Sequence, residues 1–505
     1  EFFASTDERF RPVHGTVGPD GGLYIVDMYQ GIVQHTAYMT PYLKEKTLER
    51  GLASPGHMGR IWRIVPKGFD AKSMPKLSQA NTQELVDYLS HPEGWYRDMA
   101  QRLLVEKNDP TSVDVLEKLI RSKGSELGKF HALWTLEGLE QKNPDLLLEV
   151  LKKESEWLKE TALRQLESFV LTDPRIQKEV ESILLSQKTQ VSKNYGLQMA
   201  LSAYVLPSSS RFEILSTLLD KFGEEALIRD AVMSSLEKEE LAFLKKLLSN
   251  PGWVAENPNR EIFLEMISAA IVNRAEASEM KELLAFIDQP QFGWKEVAVL
   301  NGFSIQAGNI SEPGIYKLSA EPSLFRRSDL PLDEVKLRLM KRMFSWPGFS
   351  PEKMKAASGQ LDEAGLRLFA EGRQKYLVSC SGCHGNNGKG ATRMGPPLAG
   401  SEWVLGDEVR LSLILLHGIE GPIEVMGKKY DAPEILPVMP SHSTMDDRSI
   451  AAILTYIRNE WGNQAPAVTG RTVGGTRVLN QGRVYPWSAQ ELNEHMEKLA
   501  QTPKP

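Results

Sequence analysis

Cys380-Ser381-Gly382-Cys383-His384 is the stretch of this sequence that says most about the fold and the chemistry around it. It holds both cysteines of the chain, three positions apart, and a histidine follows directly. On one helical turn, two thiols at this spacing can add across the two vinyl groups of a single haem, and the adjacent histidine then lies beneath the iron. The pentapeptide therefore predicts one covalent haem c, attached to Cys380 and Cys383, with His384 as an axial ligand.

Two other chemistries use the same residue types. A redox-active dithiol of the thioredoxin kind predicts a βαβ context, whereas residues 363–369 before the pentapeptide have a helical pattern and residues 385–390 after it form a Gly-rich loop. A zinc site needs a fourth ligand and usually a second close pair of Cys or His. His417 and His442 could be recruited, but they form no such pair. The spacing favours haem, with the zinc and dithiol alternatives left open.

A sixth iron ligand is expected downstream, because a thioether sulfur commonly completes the coordination of an electron-transfer haem. Four methionines are candidates: Met394, Met426, Met439 and Met445. Met439 is favoured because Pro437 and Pro440 stiffen the loop around it and can hold its sulfur at bonding distance, whereas a methionine within a helix face is more often core filler.

The first 68 residues have the character of strands. A turn at residues 18–22 precedes the short β-rich run Leu23–Asp27, and a second run at residues 59–65 ends at Pro66. Residues 42–52 between them are predicted to be helical. Two or three strands cannot bury a core independently, so this segment is expected to be the C-terminal fragment of a larger β domain.

Residues 76–290 change to helices separated by Pro, Asn, Asp and Gly. Small residues recur on successive helices, at intervals in the thirties, at positions 100, 132, 162, 196 and 231. This period is typical of stacked helix pairs, and it resembles the HEAT family of α-solenoid repeats. Residues 291–350 are expected to be a linker or cap, residues 352–463 a compact helical domain, and residues 464–505 a polar tail with one helix at 489–499. The predicted fold class is thus mainly α.

The compact helical domain resembles the class I cytochrome c domains that are fused to quinoprotein dehydrogenases. The resemblance rests on residues 363–463, and above all on Met439-Pro440, Asp446-Asp447 and the run from Leu454 to Asn463. It implies that the Pro396 carbonyl accepts a hydrogen bond from His384 Nδ1, a contact that orients an axial histidine. It also implies that Leu398 and Trp403 pack on the haem. From the residues alone, Gly395-Pro396-Pro397 is a stiff turn.

The N-terminal segment resembles a late blade of the β-propeller of soluble glucose or sorbosone dehydrogenases, on residues 9–13 and 18–27. That resemblance implies that Arg9 and Arg11 contact the carboxylates of pyrroloquinoline quinone, and two guanidinium forks suit such a ligand. An arginine pair on a surface loop is an equally good interpretation of these two residues. The succession of propeller end, helical repeats and cytochrome resembles the large multidomain dehydrogenases of planctomycetes and verrucomicrobia.

Composition narrows the functional classes further. The chain has 505 residues, 41% of them hydrophobic and 25% charged, with a formal net charge of −6. These values exclude a disordered chain and argue against nucleic-acid binding. The apolar run Leu411–Leu416 is far shorter than a membrane span. Neither a phosphate-binding loop nor a Gly-x-Ser-x-Gly nucleophile elbow occurs in the sequence.

Two functions from different classes are compatible with these features. The first is the haem c portion of an exported oxidoreductase, in which a quinone-dependent propeller oxidises a sugar or alcohol and the haem passes electrons to a redox partner. The second is a non-catalytic, haem-bearing scaffold whose solenoid binds a partner. Since haem c is attached outside the cytoplasm, the first 68 residues are expected to be preceded by further propeller sequence and an export signal, and the location is expected to be periplasmic.

Overall fold

Helices make up most of the computed structural model of the protein. The structure describes residues 2–33, 39, 41–56, 58–69, 75–255, 257–274, 277–288, 293–309, 313–330, 332, 334–351, 361–483 and 485–501. The chain divides into two compact units, residues 1–221 and residues 222–505, which are treated separately below. The division falls inside the segment expected to form one repeat array, and residues 352–360 of the expected helical domain lie outside the described residues.

The first unit begins with a small sheet and continues as a series of helices. Its elements are β1 (Pro12–Val17), β2 (Leu23–Asp27), α1 (Pro41–Glu49), β3 (Arg60–Ile64), α2 (Thr82–Tyr88), α3 (Gly94–Lys107), α4 (Ser112–Arg121), α5 (Glu126–Gly138), α6 (Pro144–Lys153), α7 (Glu156–Val170), α8 (Pro174–Gln187), α9 (Lys193–Ser202) and α10 (Ser208–Phe222).

The strands form one antiparallel sheet in the order β1-β2-β3. Strands β2 and β3 and helix α1 occur where the sequence predicts them. The described residues form no closed barrel or propeller, so the assignment of this sheet to a propeller blade stays a prediction.

Asp27, at the end of β2, stabilises this sheet through its buried carboxylate. Its buried carboxylate accepts hydrogen bonds from the backbone N–H groups of Arg11 (2.8 Å) and Tyr29 (2.9 Å), from Arg60 Nε (2.8 Å) and from Trp62 Nε1 (3.1 Å). Burial alone would raise the pKa of this carboxyl, but the hydrogen bonds outweigh it and lower the pKa to about 2. The charged carboxylate therefore links β2 to β3 and to Arg11, the residue directly before β1.

The helices of the first unit pack in two layers. Helices α3, α5, α7 and α9 contact one another in chain order, while α2, α4 and α6 pack on α3, α5 and α7. The small residues that the sequence singles out on the first layer, Ala100, Ala132, Ala162 and Gly196, are all buried. A small side chain at a crossing lets two helices approach closely, which explains their recurrence. This packing fits a helical repeat array, and its assignment to HEAT-like repeats stays a prediction.

The second unit is also helical, with short strands. Its elements are α11 (Ala226–Ser234), α12 (Glu240–Leu248), α13 (Pro258–Arg274), α14 (Ala277–Ile287), α15 (Trp294–Asn309), β4 (Tyr316–Lys317), α16 (Glu334–Arg342), β5 (Phe344–Ser345), α17 (Glu363–Ser379), α18 (Ser381–His384), α19 (Glu402–Leu405), α20 (Glu408–His417), β6 (Ile419–Glu420), β7 (Ile423–Val425), β8 (Lys428–Tyr430), β9 (Val438–Met439), α21 (Asp447–Ile457), α22 (Gly470–Leu479), β10 (Trp487–Ser488) and α23 (Ala489–Gln501).

The segment expected as a linker or cap is a packed layer of this unit. Its helix α15 contacts α13, α16 and α17, and Val299 and Phe303 on α15 are buried. Helix α17 in turn crosses α21, and a Cβ on Gly372 would lie only 2.0 Å from the Ala452 carbonyl oxygen, so only glycine allows this approach. Helices α13, α15, α16, α17 and α21 are thus joined by direct packing contacts.

A buried charge network crosses this core. Arg373 of α17 donates to Glu265 of α13 with two nitrogens, one of them Nε at 3.1 Å, and its Nη1 donates to the Tyr456 hydroxyl at 3.0 Å. Lys336 of α16 donates to Glu460 at 2.6 Å, and Glu460 lies 3.9 Å from Arg373. Burial opposes the charge on Arg373, but the Glu265 carboxylate outweighs it and holds the pKa of the guanidinium well above its ordinary value. The guanidinium of this central pair therefore keeps its charge.

The Asp27 carboxylate predicts an acid-sensitive sheet. A lowered pKa means that Asp27 stabilises the folded state above about pH 4, the pKa of an unperturbed Asp, and that this contribution is lost as the pH falls toward about 2. Amide hydrogen exchange in β1–β3 should therefore be slower in the wild type than in Asp27→Asn at about pH 6, with the difference largely gone by about pH 2.5. The exposed Asp114→Asn is the control and should match the wild type throughout. A wild-type advantage that persists undiminished at low pH would contradict this role.

The Arg373–Glu265 pair predicts a large loss of stability when one partner is removed. Arg373→Met leaves the buried Glu265 carboxyl, which is 1% exposed, without its guanidinium partner, and we expect a loss of about 3–5 kcal/mol. Arg448→Ala breaks an exposed pair with Glu371 and should cost at most about 1 kcal/mol. Urea unfolding of the whole chain measures both, and the double variant Arg373→Met/Glu265→Leu should recover much of the loss. Equally small changes in the free energy of unfolding for Arg373→Met and Arg448→Ala would show that the buried network does not stabilise this core.

Candidate functional site

Helix α18 is one turn that brings Cys380, Cys383 and His384 together. The backbone N–H groups of Cys383 and His384 both donate to the Cys380 carbonyl, at 3.1 and 3.0 Å. Side chains three residues apart on such a turn lie on one face. The predicted pair of attachment thiols and the predicted axial histidine therefore project from the same turn, as covalent haem attachment requires.

Tyr376 on α17 holds the end of this turn, a role that sequence reasoning missed. Its hydroxyl donates to the Gly385 carbonyl at 2.7 Å, directly after His384, and its ring is fully buried. Burial raises the pKa of this tyrosine far above its ordinary value, so it stays a proton donor. Its position four residues before Cys380, one helical turn earlier, was the signal that could have identified it.

The loop at residues 394–398 orients His384. The ring atom Nδ1 lies 2.9 Å from the Pro396 carbonyl oxygen, the contact expected from the resemblance. A carbonyl oxygen can only accept, so Nδ1 carries the proton and Nε2 keeps its lone pair for a metal. Burial lowers the pKa of His384, although this hydrogen bond acts in the opposite direction. The lowered pKa keeps the imidazole neutral and able to coordinate iron.

Cys380 lacks the electrostatics of a reactive thiol in a redox dithiol. Burial, followed by the neighbouring Cys383, raises the pKa of Cys380 to about 12. A reactive dithiol needs the opposite, a pKa lowered toward or below neutrality by positive surroundings. No group of three or more His, Cys, Asp or Glu residues within the described ranges could hold a metal ion.

A cavity opens beside α18. Most of its lining is apolar and comes from α20, β6, β7 and α21. The cavity brings together seven residues that the sequence analysis selected: Cys380, Cys383, His384, Pro396, Leu398, Trp403 and Met439.

Two of these seven residues are held through polar contacts away from the cavity. Trp403 donates from Nε1 to the Glu424 carbonyl at 2.7 Å, which fixes its ring at the cavity wall. The Leu398 carbonyl accepts from Asn463 Nδ2 at 3.2 Å, so the end of the helical domain supports this loop. The polar atoms therefore point outward and leave an apolar interior.

The four candidate methionines separate by position. Met439 and Met394 line the cavity, whereas Met426 and Met445 do not. Met426 is 54% exposed. Met394 belongs to the same short loop as Pro396, on the His384 side, while Met439 lies in β9 and packs on the apolar residues of α20 and β6. Of the two cavity methionines, Met439 is therefore the one that comes from a wall other than the histidine loop.

The donor set and the apolar lining of the cavity fit haem c. Two thiols and a neutral imidazole project from one turn, a thioether lines the cavity, and the rest of the wall is apolar. A flat apolar macrocycle with a central iron needs this combination of attachment points, axial atoms and dry surroundings.

Arg9 and Arg11 lie in the first unit, outside this cavity. Arg9 Nη2 donates to the backbone carbonyls of Gly51 and Ser54, at 2.6 and 2.7 Å. Arg11 donates to the carbonyls of Phe10 at 3.0 Å and Gly31 at 3.4 Å. Both guanidinium groups thus hold neighbouring loops together in this structure.

Comparison with protein families finds matches at both ends of the chain. Residues 369–461 match the cytochrome c family, and residues 1–68 match a domain of unknown function, DUF7133. No described helix has the length and apolar character that crossing a membrane requires.

Individual relatives agree with the family match. Cytochrome c-552 of Thermus thermophilus is 39% identical over 139 residues, which cover 27% of this chain and 90% of the relative. The cytochrome c subunit of the quinone alcohol dehydrogenase of Gluconobacter oxydans is 32% identical over 97 residues, or 19% of each chain. The corresponding subunit of Gluconacetobacter polyoxogenes is 35% identical over 105 residues, 20% of this chain and 21% of the relative.

Gly395 offers a test of how tightly the histidine is seated. A Cβ at Gly395 would lie 3.0 Å from both His384 Cε1 and the Cys383 carbonyl oxygen, and 3.1 Å from His384 Nδ1. Gly395→Ala should therefore displace the ring or the loop and cost about 1–3 kcal/mol.

The matched control is Gly382→Ala, on α18 between the two cysteines, where a Cβ meets nothing within 4 Å. Alanine there should be neutral or stabilising by up to about 1 kcal/mol, because it favours the helix. Urea unfolding of the haem-loaded chain, followed by haem absorption, compares the two variants. A loss for Gly382→Ala as large as that for Gly395→Ala would mean that the contact with His384 is not the cause.

Proposed function

The chain belongs to the cytochrome c family through residues 369–461, and on that premise we propose that it carries single electrons on one haem c. In this proposal Cys380 and Cys383 hold the haem covalently, and His384 and Met439 are the two axial ligands of its iron. The observation that carries the proposal is that all four residues line one apolar cavity.

The haem supplies the redox chemistry when it is bound, and the chain's own residues set the conditions for it. Pro396 fixes the His384 ring through Nδ1 and leaves Nε2 free to coordinate. His384 and Met439 would together hold the haem iron, a ligand pair that would suit electron transfer and exclude external ligands such as oxygen. The apolar wall, with Leu398 and Trp403, keeps water away and favours a high reduction potential.

We further propose that the electrons come from a quinone-dependent dehydrogenase acting on a sugar or alcohol, in an exported, periplasmic protein. Two lines of support lead there. The Gluconobacter oxydans relative is named as the cytochrome c subunit of a quinone alcohol dehydrogenase, and the N-terminal segment resembles a dehydrogenase propeller with pyrroloquinoline quinone as its cofactor. In that complete protein, Arg9 and Arg11 are the candidate partners of the quinone carboxylates.

A second candidate function is a haem-bearing scaffold without a catalytic propeller. One observation favours it: the Arg9 and Arg11 guanidinium groups are both engaged with backbone carbonyls, as structural arginines are. Reduction of the haem by a sugar or alcohol in the presence of pyrroloquinoline quinone distinguishes the two functions. The dehydrogenase should show it, and the scaffold should not.

Replacement of Met439 tests the proposed electron carrier. Met439→Ala should keep the covalent haem, because Cys380 and Cys383 are unchanged, but the Met-to-iron charge-transfer band should disappear. The reduction potential should fall, within the roughly 0.8 V range that axial ligands control, because a thioether favours ferrous iron. A redox titration and absorption spectra of the full chain measure both.

Three other methionines serve as matched controls. Met394→Ala, Met426→Ala and Met445→Ala should keep the band and nearly the wild-type potential, since in the proposal none of these sulfurs reaches the iron. If Met439→Ala retains the band while one of the control variants loses it, the ligand is that other methionine. If no variant changes the spectrum, a haem with His/Met ligation is ruled out and the proposed function fails.

A further inference from the structure

The C-terminal elements α22, β10 and α23, here called the C-terminal strap, lie beyond the residues that match the cytochrome c family. We propose that the C-terminal strap holds Met439 at the haem iron, with Trp487 and Arg477 as positioning residues. This inference rests on the proposed function, because it takes Met439 as the iron ligand.

The first argument is the sheet that contains Met439. Strand β10 pairs in parallel with β6, and β6 pairs antiparallel with β9, giving the order β10-β6-β9. Ile419 is the register partner of both Trp487 and Met439, so these three residues form one row across the sheet. The backbone N–H of Trp487 also donates to the Gly418 carbonyl at 3.1 Å. Paired positions in a sheet direct their side chains to the same face.

The second argument is the packing behind Met439. Trp487 is 4% exposed and forms an apolar cluster with Leu413 and Ile414 of α20 and Leu492 of α23, and Met439 packs against this cluster. Ile414 lines the haem cavity as well. Strands β6 and β9 have only two residues each, too few to be stable by their own pairing. The third strand and the buried indole therefore supply the support that this short ladder lacks.

The third argument is the chain that follows Met439. Arg477 of α22 donates from Nη1 to the Ser443 carbonyl and from Nη2 to the Met445 carbonyl at 2.7 Å. Its Nε donates to Asp447 at 2.7 Å, at the start of α21. A planar guanidinium with three acceptors in fixed directions restrains the loop in more than one direction. The C-terminal strap thus supports the segment around Met439 at two places. Strand β10 supports β9 through β6, and Arg477 holds the chain four to eight residues after Met439.

The test uses the full chain with its haem. In Trp487→Ala and Arg477→Ala, an external ligand should displace Met439 more easily, so that ferric haem binds cyanide about tenfold more tightly, equivalent to ~1.4 kcal/mol of lost restraint. The Met-to-iron charge-transfer band should weaken and the reduction potential should fall. Trp487→Phe and Arg477→Lys should lie between the wild type and the alanine variants.

The matched control is Tyr485→Ala, which removes another aromatic ring of the same tail, one that is 75% exposed. Helix content by circular dichroism should stay at the wild-type value in every variant. If Trp487→Ala does not accumulate, the two single variants Trp487→Phe and Arg477→Ala supply the same measurements. The proposal is overturned if Trp487 and Arg477 variants match Tyr485→Ala in cyanide affinity, band and potential. If Met439→Ala nevertheless loses the band, that result would reject the proposed role of the C-terminal strap and leave the proposed function intact. A Met439→Ala variant without spectral change would reject the proposed function instead.

Discussion

The hydrogen bond from His384 Nδ1 to the Pro396 carbonyl is the constraint on which the geometry of the site depends. It fixes the tautomer and the plane of the imidazole, and so determines where an iron bound to Nε2 must lie. A haem attached to the two cysteines of the same turn and bound by His384 would need its second ligand from another wall of the cavity. Met439 meets that requirement, whereas Met394 follows the histidine loop.

The histidine and methionine sides of the cavity are built in different ways. The histidine side is local: one turn of helix, the Tyr376 hydroxyl bond and a loop about twelve residues away. The methionine side is assembled from α20, β6, β9 and the C-terminal strap, whose Trp487 is far from Met439 in sequence. Contacts between distant segments are lost together when any one of them opens, so the methionine side is the one whose integrity depends on the rest of the unit.

The same distinction explains how much of the structure the sequence could predict. The pentapeptide, the role of Pro396 and the helix near 489–499 depend on short patterns or on a family resemblance, and the structure has the turn, the contact and helix α23 at those positions. Helix α22 was missed because Gly474 and Gly475 lower helix propensity by roughly 1 kcal/mol each, and packing on α20 and α21 overrides that preference.

Partners that are distant in sequence leave no such pattern. Arg373 and Glu265 are 108 residues apart, and a charged residue on an amphipathic helix is most simply interpreted as solvent-exposed. In the structure this pair lies in the core that α13 and α15 share with α17, which also carries Tyr376 toward the histidine turn. Loss of one partner there would destabilise the helix whose Tyr376 supports the turn that carries His384. The cytochrome part of this chain therefore packs on α13, α15 and α16 of the same unit, and the buried Arg373–Glu265 pair is part of that contact.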